Sequence, residues 1–157
     1  MRLSFLSSQV SPIAIDFGSS SVKLLQTSTD GQPRVVAIDE FEIPESARLQ
    51  TDRRMAFIAE ELPKAIKRGG FRTRRVICSP PSSQTLIMHM QVPPGEGSAR
   101  EDAIKQQLQS RYGCIPSAVV ARWVDVTGVQ RQGQDEVICF AAAREEIMRL
   151  IELLKKC

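Results

Sequence analysis

Apolar and polar positions along the chain follow two periods. "IAIDF" at residues 13–17, "SVKLLQT" at 21–27 and the stretch 34–43 are short, apolar-rich and strand-like. "TDGQP" supplies the second turn, so these stretches (12–17, 21–27 and 34–43) predict a meander of three antiparallel strands. A helical period follows, with Met55, Ile58, Ala59, Leu62 and Ile66 on one stripe. It predicts a helix over about 52–67, capped by Thr51 or Asp52, kinked at Pro63 and ended by Gly69 and Gly70.

Beyond that helix strand-like stretches return. "RRVICS" reads as a short strand, and "TLIMHMQV" places Leu86, Met88, Met90 and Val92 on one face and Thr85, Ile87, His89 and Gln91 on the other. "VPPGEG" is a boundary, after which Ser98 and Glu101 form a capping box for a helix to Arg111 with Ile104 and Leu108 buried. Two strands follow at 119–129 and 136–142, the second apolar on both faces and therefore expected inside its sheet. The final helix, "REEIMRLIELLKK", puts Ile147, Leu150, Ile151 and Leu154 on one stripe and pairs Glu145 with Arg149 and Glu152 with Lys156. The reading is α+β in two units, βββαβ to about Pro81 and βαββα from Ser82, after a loose leader over residues 1–11.

Composition narrows the function classes. A chain of 157 residues can bury a substantial core. Its 21 Lys and Arg against 18 Asp and Glu are interspersed, which favours neither a nucleic acid nor a membrane surface as partner. Cys78, Cys114, Cys139 and Cys157 show no metal-ligand spacing and read as reduced thiols, and no apolar run is long enough to span a bilayer, so the expectation is a cytoplasmic protein. His89 is the sole histidine and reads as a solvated strand residue. Lys64, Lys67, Arg68, Arg72, Arg74 and Arg75 form a basic cluster that reads as a solvated face, with anionic lipid as the sharper alternative.

The candidate chemistry lies in "IAIDFGSSSVKLL". An apolar strand ending in Asp16, followed by Gly18 and the hydroxyls of Ser19, Ser20 and Ser21, can hold a nucleotide phosphate. Glycine admits close backbone approach, consecutive N–H groups and hydroxyls donate to oxyanions, and Asp16 can hold water-coordinated Mg²⁺. The same string is also an ordinary hairpin turn in which the Asp accepts local N–H bonds. Neither a P-loop nor a dinucleotide-binding glycine pattern is present.

The string "IAIDFGSSSVKLLQ" resembles the first phosphate motif of the superfamily of actin, the heat-shock chaperones and the sugar kinases. "RVICSPPSSQTLIMHMQVPP", "EDAIKQQLQSRYGCIPSAVVARWVDVTG" and "EVICFAAAREEIMRLIELLKKC" resemble, in order and spacing, the PilM family of type IV pilus assembly proteins, relatives of the division protein FtsA. The resemblance implies an actin-like, RNase H-like subdomain 1A with a mixed sheet over 12–81 and an inserted α+β subdomain 1C over 82–157. It implies that Asp16, Gly18, Ser19, Ser20, Ser21 and Lys23 contact ATP and Mg²⁺, with Asp16 toward the metal.

The resemblance further implies a cytoplasmic scaffold beside the inner membrane, at most a weak ATPase. Its partner would be the N-terminal peptide of an inner-membrane PilN-like protein, held between 1A and 1C along residues 79–91 and 119–129, with self-association as a further contact. It places the family's second phosphate loop and adenosine site beyond residue 157, so an N-terminal half is expected. "KQQLQSRYG" departs from the family, whose helix is usually acidic before its Tyr-x-x-Pro turn. The alternative is a carbohydrate kinase of the same superfamily, which requires a catalytic carboxylate that no motif here supplies.

Overall fold

The structure, a computed structural model, describes the backbone of residues 10–131 and 133–157 and the side chains of all of these except 127–131. Most of the expected leader, including Leu3, Phe5 and Leu6, lies outside the described residues. The chain divides into two compact units, one running to Pro81 and including 152–157, the other Ser82–Ile151.

In the first unit, β1 (Ile13–Phe17), β2 (Ser21–Thr27) and β3 (Val35–Glu42) form the expected antiparallel meander, and β4 (Val76–Ser79) adds parallel to β1. The order β3-β2-β1-β4 is therefore a mixed sheet. A short helix α1 (Glu45–Arg48), which the pattern does not announce, precedes the long helix α2 (Thr51–Gly69). Strand alternation sorts the side chains: Ile13, Ile15, Phe17, Val22, Leu24, Ala37 and Phe41 are buried on one face of the sheet, and α2 contributes Ile58, Leu62 and Ala65 to the same core. Neither Thr51 nor Asp52 caps α2. Gln50 is the N-cap and makes no side-chain cap bond, so both residues lie in the first turn, where Asp52 complements the helix dipole. Pro63 sits within α2 without ending it, and Gly70 closes the helix at φ 68°, a left-handed conformation that suits glycine.

In the second unit, β5 (Thr85–Val92), β6 (Val119–Arg131) and β7 (Gln134–Ala143) form an antiparallel sheet in the order β5-β7-β6. The strand apolar on both faces, β7, is internal as its pattern requires. Helix α3 (Ser98–Tyr112) buries Ile104 and Leu108 against Met88, Met90 and Val92 of β5 and Val137, Cys139 and Ala141 of β7. Leu86, at the start of the same strand face, is 38% exposed. The capping box does not form. Gly97 is the N-cap at φ 113° and Ser98 is already helical, so its hydroxyl makes no cap bond.

Helix α4 (Arg144–Lys156) contains the expected Arg149–Glu145 pair at 2.6 Å. No Glu152–Lys156 pair occurs among the described residues. Its buried positions are Leu150 and Leu153, whereas Ile151 is 37% exposed, so the stripe is rotated from the expected one. Among the described residues no helix is long and apolar enough to cross a membrane.

Candidate phosphate-binding turn

Residues 18–20 connect β1 to β2, and the register places Asp16 opposite Lys23 and Phe17 opposite Val22. Strand alternation turns Phe17 into the core and leaves Asp16 and Lys23 exposed on the other face. Two cross-strand rows result on that face. Glu40, Lys23, Asp16 and Ser79 form a polar row, and Ile38, Leu25, Ala14 and Ile77 form an apolar row beside it. An open cavity of about 570 Å³ lies over both rows. The Asp16 carboxylate and the Lys23 ammonium stand directly opposite each other on this exposed face.

The turn itself is held from behind. Gly18 and Ser19 carbonyls accept from the Arg54 guanidinium, at 2.5 and 2.8 Å, and the Ser20 carbonyl accepts from the Ile43 N–H at 2.7 Å. All three carbonyls of the turn are thus engaged from within the chain. Partial burial lowers the Arg54 pKa from its ordinary value, yet arginine remains charged at any physiological pH. A Cβ at Gly18 would stand 3.0 Å from the Ser21 carbonyl oxygen and 3.9 Å from Asp16 Oδ2. The missing side chain therefore leaves clear the space beside the Asp16 carboxylate.

These features fit a Mg²⁺-bound phosphate: cationic Arg54 behind the loop, donors in front, a carboxylate at the end of β1 and space where a side chain would intrude. The turn alone offers no adenine pocket. Arg54 carries no sequence signal, since it lies 35 residues from Ser19 and falls at a polar position of a helix. Only the packing of the start of α2 beside the turn discloses it.

The other singled-out residues have local partners. The exposed His89 bonds through Nε2 to Oε2 of Glu136, at 3.0 Å, and Glu136 is buried. The solvated strand histidine is thus also one half of a surface pair. In the basic cluster, Lys64 pairs with Glu60 and Glu61, and Arg68 binds both carboxylate oxygens of Asp39 at 2.6 and 2.9 Å. Hydrogen bonding to these carboxylates raises the pKa of both cations. Two of the cluster's charges are therefore already answered within the chain. The four cysteines are free, and burial raises the thiol pKa of Cys78, Cys139 and Cys157. No group of three metal-ligating side chains occurs among the described residues.

Solved structures share this architecture. A chain of the PilM–PilN type IV pilus biogenesis complex superposes with a TM-score of 0.78 at 23% identity, over 94% of this chain and 45% of that one. This chain has that fold. The cytoplasmic domain of EpsL, an inner-membrane component of the Vibrio cholerae type II secretion system, superposes with a TM-score of 0.59 at 14% identity, over 92% of this chain and 52% of that one. The chain thus spans about half the length of each. The mixed α+β class expected from the alternation, with a mixed sheet in the first unit, is the class of the PilM-like fold. No protein-family profile and no curated protein matches the sequence.

Proposed function

We propose that this chain is part of an assembly scaffold of a type IV pilus or a related secretion machine, at most weakly catalytic. It would hold ATP and Mg²⁺ through the Asp16–Lys23 hairpin and bind the N-terminal peptide of a PilN-like inner-membrane protein. The observation that carries the reading is the likeness to the PilM chain over 94% of the residues, with the Asp-Phe-Gly-Ser hairpin at the start of the matched fold.

Each residue has a task in this reading. Gly18 admits the phosphate, the Ser19, Ser20 and Ser21 hydroxyls and the turn amides donate to its oxygens, and Lys23 supplies a positive charge on the same face as Asp16. Asp16 orients metal-bound water, and Mg²⁺, when bound, neutralises phosphate charge. Arg54 holds the turn carbonyls away from the anion. Among the described residues, the second unit shows no group of three metal-ligating side chains. It presents open sheet edges at β5 and β6, to which an extended peptide can add by backbone pairing.

Calorimetry tests the reading in two titrations. The PilN-type N-terminal peptide of the same organism should bind this chain. Mg-ATP should bind no tighter than about 1 mM, roughly 4 kcal/mol, because one hairpin supplies few contacts. Absence of peptide binding at about 1 mM rejects the scaffold reading, and micromolar Mg-ATP affinity rejects the assignment of this hairpin as an isolated part-site.

A further inference from the structure

The second unit carries a groove that neither the phosphate turn nor its β5 edge uses. Helix α3 buries its stripe against β5 and β7, and Val119, Ala121 and Trp123 of β6 pack only partly buried against that core. A cavity of about 550 Å³ runs between them, walled by Ile104 and Leu108 and floored by these three β6 residues. β6 ends the sheet order β5-β7-β6, so among the described residues its outer side carries no strand.

The rims differ in charge. On the helix side Glu101 and Lys105 answer each other at 3.6 Å. On the strand side Arg122 and Arg144 are exposed and bond only backbone carbonyls among the described residues: Arg122 to Ala121 at 2.8 Å, Arg144 to Ser117 at 3.0 Å and Val119 at 3.4 Å. Two guanidinium groups without a carboxylate thus flank an apolar floor that holds the chain's single tryptophan. Tryptophan and arginine beside an apolar centre are the side chains enriched where partners dock.

We infer that the groove between α3 and β6 is a docking site for an acidic, extended segment of another protein. The segment pairs along the open edge of β6. Its apolar side chains, at every second position, cover Val119, Ala121 and Trp123, and its carboxylates between them reach Arg122 and Arg144. Charge decides against a second copy of this chain, because antiparallel pairing of two β6 edges centred on this stretch sets Arg122 against its own counterpart. The docking site does not involve the nucleotide turn and overlaps the PilN reading at β6, where that peptide is expected along residues 119–129; it adds the acidic character of the segment and its contacts with Arg122 and Arg144, which an acidic probe peptide tests separately from PilN binding.

Trp123 reports directly, being the only indole. The probe is a capped peptide of about eight residues alternating glutamate and valine, ~26 Å when extended. Its control replaces glutamate with lysine. Titrated into the full chain, the acidic peptide shifts Trp123 emission to the blue and saturates. Its dissociation constant rises several-fold between about 0.05 and 0.3 M salt, since exposed charge pairs are screened.

Arg122→Gln and Arg144→Gln, made singly and checked by circular dichroism for an unchanged fold, each weaken binding at least about threefold, whereas Arg122→Lys retains most of it. Three results overturn the inference: an unchanged spectrum at about 1 mM acidic peptide, equal binding of the lysine peptide, or an emission shift that follows protein concentration alone, which would make a second copy the occupant.

Discussion

Gly18 and Asp16 stand two positions apart in the same hairpin, yet substitutions at them should act on different properties. An alanine methyl at Gly18 would press on the Ser21 carbonyl at 3.0 Å, backbone against side chain, with little room to yield. Gly18→Ala should therefore cost about 1 kcal/mol of stability. The Asp16 carboxylate is exposed, so Asp16→Ala should leave the unfolding free energy within about 0.5 kcal/mol of the parent while abolishing whatever Mg-ATP binding the chain has. Thermal melts read beside nucleotide titrations check both, and unfolding of Asp16→Ala would make its role structural.

At this scale the sequence discloses chemistry better than geometry. The Asp-Phe-Gly-Ser string identifies the turn, but its support by Arg54 depends on a contact across 35 residues that no local pattern encodes. The same holds for Gln26. It sits in a strand that reads as ordinary alternation, yet it is fully buried, donating to the Ser11 carbonyl at 2.9 Å and accepting from the Arg72 N–H at 2.9 Å. A buried amide persists only when its polar atoms are answered, and those answers come from distant loops.

Among the elements, strands were more legible than helix ends. A period of two marks β5 at Thr85–Val92 and β7 as the internal strand, because side-chain alternation is fixed by backbone geometry. Helix starts depend on one residue's φ and ψ, and here glycine and glutamine occupy the N-caps that Ser98 and Thr51 or Asp52 were expected to fill. In α4 the buried positions are Leu150 and Leu153, three apart on one helix face, while Ile151, two residues before Leu153, falls on the opposite side and is exposed.

Cys139, fully buried near the middle of β7, gives this scale its test. Burial raises its thiol pKa, so the folded chain retains a proton that the unfolded chain releases above the ordinary value of 9.0. The stability tied to that proton is fully present below the unfolded value and is lost as pH rises through the folded one. Urea midpoints should therefore fall as pH rises above the ordinary thiol value of 9.0, and Cys139→Ala should make the fall shallower. Cys78 and Cys157 shift in the same direction, so part of the slope should persist.

For the whole molecule, two compact units share one chain, and among the described residues each presents an exposed sheet surface or edge. The first offers the apolar row Ile38, Leu25, Ala14 and Ile77 beside the polar row holding Asp16 and Lys23, and the second offers the open edges of its three-stranded sheet. Exposed apolar rows on sheet faces and free edges are features that proteins ordinarily cover or use. The proposed scaffold function would use these surfaces to hold other chains. The central proposal is that this chain binds a PilN-like peptide. The most direct measurement is an amide-resonance titration of the isotopically labelled full chain with that organism's PilN-type N-terminal peptide. The account predicts saturable shifts along residues 79–91 and 119–129, with the Asp16–Lys23 hairpin unmoved. Shifts confined to that hairpin, or none at about 1 mM peptide, would contradict it.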